Sequence, residues 1–146
     1  MTVIDKSIVI NAPIEQIFEM LNDPHRIQQF APDVSRVEEV RETPNHIGAS
    51  FRAVYSVMGI DIPTTFTVID YAEPHKLVAR MEGGQTGTFS WQMEPHGDAT
   101  RLTVRIDYQL KGGLLGRAVD ALLVERMNEK NTGHMLENLK TLSEAR

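Results

Sequence analysis

From Ala31-Pro32 to Leu110 the chain keeps a period of two, and that stretch limits the fold more than any other. Phe51, Ala53, Tyr55 and Val57 alternate with Ser50, Arg52 and Ser56; Leu77, Ala79 and Met81 alternate with Arg80 and Glu82. Leu102, Val104, Ile106, Tyr108 and Leu110 alternate with Arg101, Thr103, Arg105 and Asp107. Such alternation makes strands with one apolar face and one wet face. Turn-forming stretches interrupt it at TPNHIG, MGIDIP, AEPHK, EGGQTG and EPHGDA, spaced as an antiparallel meander needs. With the β-branched segment VIDKSIVI at residues 3–10, this predicts a sheet of about seven strands with one face to be covered.

Little of the chain is left to cover it. After the first strand, Asn11 is expected to cap a helix with Pro13 in its first turn; Ile14, Ile17, Phe18 and Leu21 recur at helical spacing before Asn22-Asp23-Pro24 stops them. A second short helical segment, HRIQQF, ends at Ala31-Pro32. The remaining cover is a helical stretch from about Leu114 to Leu142, roughly 43 Å at 1.5 Å per residue. Leu114, Ala118, Ala121, Val124, Met135, Leu139 and Leu142 share one of its faces. Asn128 interrupts that face, with Asn131 and Thr132 beside it and Glu125 at its edge. Gly133 projects elsewhere and is expected to mark a bend or thin spot.

A polar interruption facing a sheet has to be bonded to the fold, to water or to a ligand, because a buried amide without a partner costs about 1 to 3 kcal/mol. A cavity in mid-sheet supplies water and ligand. A bond to a neighbouring strand, or a rotated helix that exposes Asn128, would serve as well.

Composition removes other functions. A net charge of −5 with scattered basic residues leaves no cationic face for nucleic acid. The absence of cysteine removes thiol catalysis, disulfides and thiolate metal sites. His25, His75 and His96 follow prolines in turns, His46 sits in another turn, and His134 points off the apolar helix face, so no metal-ligand spacing arises. Neither a serine elbow nor a phosphate-cradling glycine loop occurs. The opening residues do not read as a signal peptide and no apolar block is long enough to span a bilayer, so a soluble, cytoplasmic protein without stable membrane insertion is expected.

The order of these segments resembles a known family. A strand followed by NAPIEQIFEMLNDPHRIQQFAPDVSRVEEV, IGASFRAVYSV, YAEPHKL, GDATRLTVRIDYQL and KGGLLGRAVDALLVERMNEKNTGHMLENLKTLSE is similar to the polyketide cyclase/dehydrase family of the START-like superfamily, from about Ser7 to Glu144. The resemblance implies one α+β domain over residues 1–146 with the helix-grip fold: a curved antiparallel sheet around a long C-terminal helix, with two short helices after the first strand. It also implies a deep cavity for a hydrophobic or amphipathic molecule such as a lipid, a quinone or a polyketide-like chain; apart from the resemblance, no cofactor or metal is expected.

On that basis Phe51, Tyr55, Phe66, Met81, Phe89, Trp91, Asn128, Thr132 and Met135 are the candidate ligand-binding residues. The alternation leaves open whether Phe66 and Val68 or Ile69 and Tyr71 face the cavity. Were the protein a cyclase or dehydratase instead of a carrier, it would need an acid and a base in the cavity, and Glu125, Asp70, Tyr55 and Tyr108 are the candidates. A third reading is a protein-interaction module. A second apolar group on the last helix, Leu115, Val119, Leu122 and Leu123, could pack under the cavity mouth, form a homodimer or touch a membrane; the first suits a helix-grip arrangement best.

Overall fold

The computed structural model describes residues 2–110 and 121–145. Strand β1 (Thr2–Ile10) leads to helix α1 (Ile14–Leu21), a 3₁₀ turn (Pro24–Arg26) and helix α2 (Ile27–Phe30). Strands β2 (Val34–Arg41), β3 (Ser50–Val57), β4 (Ile60–Ala72), β5 (Lys76–Gly83), β6 (Gln85–His96) and β7 (Ala99–Leu110) follow, and the chain closes with helix α3 (Ala121–Glu144). The seven strands form one antiparallel sheet in the order β1-β7-β6-β5-β4-β3-β2, a meander from β2 to β7 whose last strand pairs with β1. This is the helix-grip arrangement, and each hairpin falls on an expected turn. Val57 and Ile60, for instance, are joined by Met58 and Gly59, whose φ angles of 54° and 77° are those of the tight primed turns that suit strand twist.

The core lies between the sheet's inner face and the helices. Ile10, Leu102 and Val104 from the sheet, Ile17, Phe18 and Met20 from α1, and Met135, Leu136 and Leu139 from α3 form one buried cluster. Helix α3 runs beside β1 and over α2, where the Asn138 amide Nδ2 donates to the Phe30 carbonyl at 3.0 Å and so clips α2 in place. It passes through Gly133 as one continuous helix, and a Cβ built there would meet nothing within 4 Å, so the glycine guards no close contact. A close contact does occur at Gly87, where φ is +139° and a Cβ would lie 1.9 Å from the Asp107 carbonyl oxygen of the paired strand; only glycine fits.

Two local readings change. Helix α1 begins two positions later than a cap at Asn11 would place it. Pro13 holds extended backbone at the N-cap, without a side-chain cap, and the Asn11 N–H donates to Glu144 Oε2 at 2.8 Å. Secondly, β4 carries a bulge between Val68 and Asp70, so Phe66 and Val68 face inward, Ile69 and Asp70 both face outward, and Tyr71 returns to pack edge-on against Phe18 with ring centroids 5.4 Å apart. Of the two face assignments for this strand, Phe66 and Val68 is the one that faces the cavity; Ile69 is exposed, and the extra residue brings Tyr71 back to the inner side without a place in the cavity wall. Leu114, Leu115, Ala118 and Val119 lie outside the described residues; Leu122 and Leu123 are exposed on α3.

Candidate functional site

A two-lobed cavity separates α3 from the sheet, and Ala31, Tyr55, Phe89 and Met135 line both lobes. The apolar lobe, about 70 Å³, is enclosed by Leu21 of α1, Ile27 and Phe30 of α2, and the inner faces of β3 to β6. Its aromatic wall is continuous: Phe51 stacks on Phe66 at 5.0 Å, Phe66 meets Phe89 edge-on at 5.8 Å, and Phe89 meets Trp91 at 5.3 Å. Such rings give large apolar area in fixed orientations. The second lobe, about 40 Å³, carries more polar groups than the first. Asp33, Tyr55, Gln85, Tyr108, Asn128, Asn131 and Thr132 converge there among Ile4, Val57, Ile62 and Ile106.

Helix α3 supplies the polar triplet through its own pitch, since positions 128, 131 and 132 fall on one face. Asn128 Nδ2 donates to the Tyr108 hydroxyl of β7 at 3.0 Å, and the Thr132 hydroxyl donates back to the Asn128 carbonyl at 2.8 Å, which satisfies the threonine within the helix. The polar break in the helix stripe thus has a partner in the fold and also lines a cavity. Across the lobe, Gln85 Nε2 donates to the Thr64 hydroxyl at 3.0 Å.

Asp33 comes from the turn between α2 and β2. Its carbonyl accepts the Ser56 N–H of β3 at 2.8 Å, which fixes the turn against the sheet and leaves the side chain at the lobe wall. Burial pushes its carboxyl above the usual range, against hydrogen bonds from its own backbone and from the Asn131 side chain. Burial likewise pushes the Tyr55 phenol upward, and the charge of Asp33 adds to it. The Tyr108 phenol is raised by burial too, with Asn128 opposing and Glu125 and Glu129 adding. The lobe therefore holds two phenols that stay protonated and one carboxyl that resists ionisation, a set able to exchange a proton with a bound molecule.

The other candidates sit apart from this set. Glu125 Oε1 accepts the Thr2 hydroxyl at 2.6 Å on the β1 side, and Asp70 Oδ2 pairs with Lys76 Nζ at 2.6 Å on the outer sheet face; neither lines a lobe. The bulge in β4 is what turns Asp70 outward. Met81 is buried beside its cross-strand partner Phe66 in the core and lines neither lobe. Phe51, Tyr55, Phe66, Phe89, Trp91, Asn128, Thr132 and Met135 do, and Tyr108 joins them. Sequence reasoning passed over Asp33, because a Pro-Asp turn is ordinarily a surface turn; the one available signal was its position where the helices hand over to the sheet. Among the described residues no group of three His, Asp or Glu is placed to hold a metal ion.

The sequence matches the family described as polyketide cyclase / dehydrase and lipid transport over residues 1–144. The chain belongs to that family. Solved structures share its fold at low identity. A START superfamily protein from Mycobacterium smegmatis superposes with a TM-score of 0.79 at 18% identity, covering 98% of this chain and 97% of that one. A protein from Thermus thermophilus gives 0.78 at 20%, covering 96% and 95%. The di-domain ARO/CYC StfQ of the steffimycin biosynthetic pathway gives 0.74 at 18%, covering 99% of this chain and 52% of that one. No curated protein sequence matches the chain. Family and fold are consistent with binding of hydrophobic ligands in a START-like cavity, and no helix among the described residues is long and apolar enough to cross a membrane.

Proposed function

We propose that the protein binds an amphipathic small molecule between sheet and α3, its apolar body against the Phe51-Phe66-Phe89-Trp91 wall and its polar end among Asp33, Tyr55 and Asn128. One observation carries this reading: the two lobes differ in chemistry and share Ala31, Tyr55, Phe89 and Met135 as a common wall, so a single molecule reaching past these side chains meets apolar surface at one end and hydrogen-bonding groups at the other. Burial of ligand surface at about 25 cal/mol per Å² would supply most of the affinity, and the polar groups the orientation. The family's lipid-transport description supports the same ligand class.

Volumes of about 40 and 70 Å³ are smaller than the roughly 300 to 1,000 Å³ of ordinary ligand sites, so a ligand of that size enters by displacing walls. Met135, with its unbranched thioether at the junction, and the four-residue α2 are the parts suited to move.

The test is native mass spectrometry of protein purified without detergent, followed by solvent extraction and mass analysis of what is released. A retained amphiphile that is lost in a Phe89→Asp variant supports binding in this cavity. Retention unchanged in that folded variant refutes it. A second reading, an enzyme acting on such a molecule, draws on the raised Asp33 carboxyl beside Tyr55. It predicts that Asp33→Asn abolishes turnover of a bound ligand while the ligand stays bound.

A further inference from the structure

We propose that the cavity selects amphiphiles whose polar end is an uncharged hydroxyl and excludes those ending in a carboxylate or phosphate. This rests on the ligand-binding reading above and narrows the class of molecule it admits.

The argument is one of charge inventory. Asp33 is the acidic side chain among the residues lining the two lobes, and none of the described lining residues is Lys, Arg or His. Sites that hold carboxylates or phosphates supply a guanidinium, an ammonium or a helix N-terminus. Here α3 presents its middle, not its start, to the lobe, through Asn128, Asn131 and Thr132. An anionic end would meet Asp33 with no cation to offset it, and two carboxylates sharing one site cannot both ionise without cost.

A hydroxyl is suited to the same groups. Asn128 spends one Nδ2 hydrogen on Tyr108, so its side chain can still offer a ligand the oxygen, an acceptor, and one amide hydrogen. Asp33 offers acceptor oxygens when ionised, and the Tyr55 and Tyr108 hydroxyls can each give or take a hydrogen bond. A ligand hydroxyl can therefore donate to Asp33 or Asn128 and accept from a tyrosine. The titratable groups that line the lobe with Asp33 are Tyr55 on β3 and Tyr108 on β7; Glu125 and Glu129 act on Tyr108 from α3, and Lys6 of β1, 3.6 Å from Glu129, is paired there and does not line the lobe.

The experiment is calorimetric titration of the whole protein at about pH 8 with three probes of one body: 2-naphthol, 2-methoxynaphthalene and 2-naphthoate. We expect 2-naphthol to bind about tenfold more tightly than the methyl ether, which lacks the donor, and about a hundredfold more tightly than the carboxylate. Asp33→Asn should reduce the discrimination against naphthoate to less than about tenfold. Naphthoate binding as tightly as naphthol overturns the selection rule and leaves ligand binding standing, as does discrimination that survives Asp33→Asn undiminished. Binding of none of the three overturns the ligand-binding reading and this proposal with it.

Discussion

The contact between Asn128 and Tyr108 can be tested as a pair. Tyr108 is 2% exposed, its hydroxyl accepts from Asn128 Nδ2 at 3.0 Å, and this bond ties the middle of α3 to β7, the strand beside the sheet's edge. Tyr108→Phe removes the acceptor and keeps the ring. The loss of one neutral hydrogen bond costs about 1 kcal/mol, and an orphaned buried amide about 1 to 3 kcal/mol. The adjoining lobe of about 40 Å³ can admit water to the orphan, since a water needs roughly 10 to 15 Å³. We therefore expect the low end, about 1 to 2 kcal/mol, or a fall in Tm of roughly 3 to 6 °C for a domain of this size. Asn128→Leu strands the Tyr108 hydroxyl in the same wettable place and gains apolar burial, so its cost should be below about 1 kcal/mol. If the bond is what couples them, the double variant is less destabilised than the sum by about 1 kcal/mol. Urea unfolding of the four proteins, followed by the fluorescence of the single tryptophan, Trp91, measures this. Additivity to within about 0.5 kcal/mol would falsify the claim that the bond holds α3 to β7.

Asp33→Asn should stabilise the protein near neutral pH. A carboxyl raised by burial stabilises the fold fully below its unfolded value, about 3.9, and that contribution is lost as pH rises through the folded value. The variant's advantage should thus shrink toward acid, and an advantage constant from about pH 4 to pH 8 would contradict the burial argument. Gly87→Ala, with its Cβ 1.9 Å from the Asp107 oxygen and φ at +139°, must break the β6–β7 ladder locally; a variant within about 1 kcal/mol of the parent by thermal unfolding would show that the strands part more easily than the contact implies. Leu139→Ala, at a fully buried position on α3, should cost about 2 to 5 kcal/mol by the same measurement. Ser143→Ala removes a buried hydroxyl without a hydrogen-bond partner among the described residues, so it should be neutral or stabilising by up to about 1 kcal/mol, and clear destabilisation would mean the hydroxyl is bonded.

The sheet could be read from the chain because its inner and outer residues alternate and its turns are marked by Gly, Pro and Asp. Where one residue is inserted, alternation contradicts itself, and residues 66–71 looked ambiguous for that reason. The helical side of the cavity was equally legible, since a polar break in an apolar stripe reports what it faces. Asp33 was hidden because a turn residue's direction depends on what the turn is fastened to, here Ser56 of β3, far away in sequence. Glu125 stood at the edge of the inward face by helical angle, and Thr2 at the sheet edge holds it away from the cavity. Local periodicity describes a face; it does not describe the neighbour that claims a side chain at the rim.

The small volume of the cavity carries a kinetic consequence. A ligand larger than the space waiting for it has to await an opening, in which Met135 turns aside or α2 slips its tie between Asn138 and Phe30. If that opening comes first, the observed association rate stops rising with ligand concentration and levels off at the opening rate, well short of the diffusion limit. The same plateau would then be expected for every ligand admitted, whatever its affinity, and Asn138→Ala would raise it for all of them together.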